Sequence, residues 1–183
     1  KALGVVPQLG TKNHGAMWKI TTSQGQVARC LQYGGSLKRG DTFHEVNYFD
    51  IADVNGVPIS LSKYHALMAV AEQSDVAGVS DWYTQISQIL TWYILANNVN
   101  PNMDGEPIFQ LVLSLYKRCF GVSDAMVAAD KAANGEMGLY GNNGVIHAWV
   151  LGWLQRYRIY EGLSYDSSYV TDQREVTMTF WAA

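Results

Sequence analysis

Between Gln26 and Gly35 the chain alternates: Val27 and Leu31 fall on one face, Ala28, Cys30 and Gln32 on the other. That two-residue period predicts a strand, and the Gly34-Gly35 pair ends it. Ala16–Thr21 reads as a shorter strand, turning through Thr22–Gly25 into the first. Residues 34–60 are rich in glycine and aspartate and read as loop, with one short strand or turn around Phe43–Phe49. At Ser60 the period changes to that of a helix. Leu61, Tyr64, Leu67, Met68 and Ala71 share one face of a helix that starts near Ser60 or Ser62. A second helix starts at Ser80-Asp81 and runs to about Asn97. It carries no charged side chain after Asp81, so it must be buried nearly all round. A third opens with Pro107 in its first turn, places Ile108, Leu111, Val112, Leu115, Tyr116 and Cys119 on one stripe, and is closed by Gly121. A fourth begins at Ser123-Asp124 and ends before Gly135.

Beyond Asn134 the pattern predicts a return to strands. Residues 145–153 fit either state, since Val145, Ile146, Trp149, Val150 and Trp153 also have helical spacing. Leu154–Tyr160 and Arg174–Trp181 read as strands that pair across the Gly162–Asp172 loop. The expected fold is therefore a single α+β domain. Both chain ends, about 1–59 and 135–183, build a β-sheet or β-sandwich-like part around a mainly helical insertion of about 60–134.

Hydrophobic residues make up 48% of the 183 and charged residues 16%, against roughly 25% charged in an average globular chain. Such a chain buries a sizeable core. A net charge of −3 without a basic patch argues against a nucleic-acid partner. No apolar run is long enough to insert in a membrane. The chain begins at Lys1 without a signal peptide, and so reads as a processed chain or an excised piece of a larger one.

Two cysteines permit one disulfide in an oxidising compartment. Cys119 lies on the apolar stripe of the third helix, where a small buried hydrophobe fits. Cys30 stands at a strand end before a loop, where a reactive side chain is both held and reachable. On the second helix, Thr84, Ser87, Gln88 and Thr91 form one narrow uncharged polar stripe in otherwise apolar surroundings. Such a stripe serves equally to bond neighbouring backbone. His14, His44, His65 and His147 are scattered singly, and neither the histidines nor the cysteines have metal-site spacing. No cofactor or metal is expected. One competing reading makes Cys30 a hydrolase nucleophile paired with His147 or His44. Another makes the domain a secreted binding module with a Cys30–Cys119 disulfide.

Two segments carry a family resemblance. Arg29-Cys30-Leu31-Gln32-Tyr33-Gly34-Gly35-Ser36, followed by Gly40 and Phe43, resembles the cysteine loop of the bacterial thioester domains at the tips of Gram-positive surface proteins and pili. Ser87-Gln88-Ile89-Leu90-Thr91-Trp92 resembles that family's helical Thr-Gln-x-Ala-Ile-Trp, with Ser87 for Thr and Leu90-Thr91 for Ala-Ile. Arg29 stands where the family has an aromatic or aliphatic residue. The resemblance implies an internal thioester between Cys30 and Gln88, with Gln85, in the pair Thr84-Gln85, as the alternative acyl residue. It implies an extracellular, cell-surface adhesin domain, monomeric in isolation, that forms a covalent bond to a lysine amine on a host or surface protein. That is stoichiometric binding rather than enzymatic turnover.

Overall fold

A computed structural model describes residues 20–21, 27–31, 50–52, 56–77, 81–163 and 180–182. The expected strand at Ala16–Lys19, the loop through Gly34, Gly40 and Phe43, Tyr33, His14, His44, and the Arg174–Thr179 part of the last strand lie outside these residues.

Five α-helices dominate the described chain: α1 (Leu61–Ala77), α2 (Asp81–Ala96), α3 (Gly105–Cys119), α4 (Asp124–Asn134) and α5 (Val145–Tyr160). A 3-10 turn, Gly135–Met137, follows α4. The Ser60 hydroxyl accepts from Lys63 N at 3.1 Å, and the Ser123 hydroxyl from Met126 N at 3.2 Å. Each satisfies a first-turn N–H that its helix leaves unpaired. Pro107 sits in the first turn of α3, where a missing N–H costs nothing.

The expected α+β fold, with a β-sheet or β-sandwich-like part built from about 1–59 and 135–183, is corrected: the described chain is mostly helical and is not a β-sandwich, and its two ends meet only in three very short strands. Among the described residues the named strands are β1 (Ile20–Thr21), β2 (Val27–Cys30) and β3 (Phe180–Ala182), in the order β1-β2-β3. β2 pairs antiparallel with β1 (Ile20 opposite Ala28) and parallel with β3 (Cys30 opposite Ala182). The largest departure is residues 145–160. Leu154–Tyr160, expected as a strand, is the second half of α5. Helical spacing wins because Ile146, Trp149, Val150, Trp153, Leu154 and Tyr157 make one continuous buried stripe. The stripe is wider than an apolar count suggests, since Gln155 and Arg156 are buried as well.

The core lies between these helices. α1 packs on α5 and α2, and α3 on α5 and α2. α2 is buried all round in its central turns, with Ile86, Ile89, Leu90 and Ile94 inaccessible, as its lack of charge requires. At Gly152 on α5 the amide of Gln73 on α1 occupies the space a Cβ would need. The glycine thus sets the close approach of the two helices. From the next residue, Trp153 Nε1 donates to the Ala66 carbonyl at 2.9 Å. α2 also meets β2, and that contact positions the site. No described helix is long and apolar enough to cross a membrane.

Candidate functional site

β2 ends on Cys30. Ala28 and Arg29 before it are buried, and Cys30 itself is half-buried. α2 crosses the strand end with Gln88 in its middle, 6% exposed. The Gln88 side chain reaches out of the helix and clasps the main chain of Cys30 from both ends. Cys30 N donates to Gln88 Oε1 at 2.9 Å, and Gln88 Nε2 donates to Cys30 O at 2.6 Å. The N–H and C=O of one residue therefore fix both the position of the carboxamide and which of its ends is oxygen. The two residues are 58 positions apart in sequence.

The remaining polar stripe of α2 behaves differently. Ser87 Oγ donates to Thr84 O at 3.0 Å and Thr91 Oγ1 to Ser87 O at 2.7 Å. These hydroxyls are satisfied by their own helix, and among the stripe residues the carboxamide of Gln88 is the group that bonds β2. Gln85, the alternative acyl residue, accepts from the Tyr116 hydroxyl of α3 at 2.9 Å. That bond ties its carboxamide to α3 in the helical core. Trp92 and Tyr93, one turn beyond Gln88, are buried.

Burial pushes the Cys30 thiol above its ordinary range. Cys119 is fully inaccessible on α3. Burial pushes its thiol up to about 11, with Arg118 pulling weakly the other way. Cys30 and Cys119 are not joined in a disulfide. A thiol reagent is expected to leave Cys119 untouched in the native protein and to label it only on unfolding, since reaction needs an accessible thiolate. Native labelling of Cys119, read by peptide mapping, would contradict that placement.

His147 lies buried at the start of α5, edge-on to Phe109, with Nε2 on Glu106 Oε1 at 2.6 Å. Neither described histidine, His65 or His147, hydrogen-bonds Cys30. A second polar cluster had no signal in the sequence: His65 Nδ1 meets Glu161 Oε2 at 2.8 Å, and Ser62 bonds Glu161 and Tyr157. These bonds, that from Ser62 foremost, hold the Glu161 carboxyl below its usual range. Its members lie on opposite ends of α1 and α5, 95 to 99 positions apart. Among the described residues no group of three His, Cys, Asp or Glu side chains is placed to hold a metal. A depression of about 300 Å³ lined by Gln110, Leu113, Ser114, Lys117, Arg118 and Val122 includes neither Cys30 nor Gln88.

No family model, curated protein or solved structure matches this chain.

Proposed function

We propose that Cys30 and Gln88 form an internal thioester, and that the domain uses it to bind covalently to an amine on a partner protein. The observation that carries this reading is the two-ended clasp of the Gln88 carboxamide on Cys30. It brings an acyl group to a cysteine across 58 residues, as only a folded domain does. Fixing two groups in this way replaces a bimolecular encounter, at an effective molarity on the order of 10⁵ M.

In the closing step Cys30 Sγ attacks Gln88 Cδ. The C–S bond forms, the Cδ–Nε2 bond breaks, and the nitrogen leaves as ammonia with the thiol proton. Cys30 N–H, already on Oε1, faces the oxygen on which negative charge develops, as an oxyanion donor does. Because burial raises the Cys30 thiol, the thiolate is a small minority at neutral pH, and ring closure speeds up as pH rises. In the capture step an amine attacks Cδ, the C–N bond forms, the C–S bond breaks and Sγ recovers a proton. The partner class that follows is a host or surface protein presenting a lysine amine, and the setting is the outside of a cell. The bond is used once, without turnover.

Intact mass tests the reading. The native domain is expected to be lighter than its sequence by one ammonia, and Cys30→Ala to have its full mass. Treatment with methylamine should add one methylamine to the peptide containing Gln88 and expose one reactive thiol, Cys30. A full mass in freshly prepared native protein, unaltered by methylamine, would reduce the clasp to a structural hydrogen-bond pair at a strand end.

A further inference from the structure

Gln88 Nε2 is seated on the main-chain oxygen of Cys30 at 2.6 Å. If the thioester closes as proposed above, on which this inference rests, that nitrogen departs and Cys30 O loses that donor. Cys30 N–H stays on the carbonyl oxygen. The lone pair that received the nitrogen is then left open beside the electrophilic carbon, at the place the nitrogen has just vacated.

We propose that the Cys30 carbonyl oxygen is the receptor for the incoming amine nitrogen, and that it selects amines which keep an N–H through the reaction. Capture is the reverse of ammonia expulsion with a different nitrogen, so by microscopic reversibility the entering atom follows the path of the leaving one. As it attacks, the nitrogen gains positive charge, and its N–H···O bond to Cys30 becomes charge-assisted. A primary amine brings two N–H groups. One proton is shed as the amide forms, and the other still faces Cys30 O while the C–S bond breaks. A secondary amine brings one, which it must shed, so the contact is lost before the reaction is complete. An alcohol likewise sheds its only O–H. The partner group is therefore an unmodified lysine ε-amine or a primary chain-terminal amine, and an Nε-methylated lysine is captured more slowly.

A main-chain oxygen cannot be deleted by changing a side chain, so the test varies the nucleophile. The native chain is first checked for the ammonia-deficient mass. Rates of adduct formation are then measured with methylamine, dimethylamine and isopropylamine, and with the same three amines on a simple alkyl thioester in the same buffer. Relative to that reference, dimethylamine is expected to be slower than methylamine on the protein by about tenfold or more, the value of a hydrogen bond to a charged group. Isopropylamine, which is branched but keeps two N–H groups, is expected to stay near methylamine. Equal normalised rates for methylamine and dimethylamine would overturn the proposal. A penalty for isopropylamine as large as that for dimethylamine would overturn it too, by making bulk the selector. A native chain of full mass instead overturns the thioester reading itself.

Discussion

The Gln88→Glu variant is expected to lack the proposed thioester entirely and to be less stable than Cys30→Ala at neutral pH. Cys30→Ala is the right reference because it removes the sulfur but keeps the main-chain groups that the carboxamide clasps. In Gln88→Glu one oxygen still accepts from Cys30 N, where Oε1 now lies at 2.9 Å. The other faces Cys30 O, where Nε2 now donates at 2.6 Å, so two acceptors meet. Position 88 is 6% exposed, and water does little to relieve them. A buried polar group left facing the wrong partner costs about 1–3 kcal/mol. A carboxylate is also not attacked by a thiol, so there is neither ammonia to lose nor an adduct with methylamine. The pH dependence has a definite sign. Burial and the facing carbonyl raise the folded-state pKa of the new carboxyl above its unfolded value of about 4.3. Below that value both states are protonated and the penalty is absent. It grows as pH rises through the unfolded value toward the raised folded one, then levels off. Denaturant unfolding of both variants between acid and neutral pH checks this. A stability difference that does not change with pH would show that the side chain at 88 does not face Cys30 O.

The clasp was half legible in the sequence. A helix without charge after Asp81 has to be buried, and a polar stripe on such a helix has to find partners. That reasoning led to a stripe with Gln88 in its middle, while the choice of Gln88 and its pairing with Cys30 rested on the resemblance to the thioester domains. It treated the stripe as one unit, whereas Ser87 and Thr91 turn back onto their own helix, a choice that short hydroxyl side chains make locally and without a trace in the pattern. It left Gln85 open, because what separates the two glutamines is Tyr116, 31 residues further on. Helices α1 to α4 were legible from period and caps. α5 was not, because Leu154-Gln155-Arg156-Tyr157-Arg158-Ile159-Tyr160 alternates well enough to pass for a strand. Its helical stripe is interrupted by a buried arginine, and the residues that make that arginine tolerable lie 83 and 84 positions upstream on α1. A window on one segment does not contain its partner.

That partner gives the second large effect. Arg156 is 1% exposed, with Nε on Gln73 Oε1 at 2.8 Å and Nη1 on Glu72 Oε1 at 2.9 Å. Tyr160 also hydrogen-bonds Glu72, and burial foremost, with Glu72, raises its phenol. Glu72→Ala removes the counter-charge but leaves the guanidinium buried between α1 and α5. Stripping one partner from a buried pair costs about 3–5 kcal/mol, because the remaining charge is uncompensated. Gln73 still accepts from Arg156 Nε, which places the expected loss near about 3 kcal/mol. In a chain of this length that lowers the melting temperature by roughly 10 °C. Replacing both residues, as Glu72→Gln with Arg156→Met, should cost markedly less than Glu72→Ala, since no buried charge is then left over. The double-mutant cycle isolates the pair from the packing around it. A loss below about 0.5 kcal/mol in Glu72→Ala would mean that water reaches the guanidinium and that the pair behaves like a surface ion pair. Because this pair ties α1 to α5, and the clasp ties α2 to β2, Glu72→Ala well below its melting temperature should still show the ammonia-deficient mass. Cys30→Ala should lose that mass and keep the α1–α5 pair. The two measurements separate what holds the helices together from what the cysteine does.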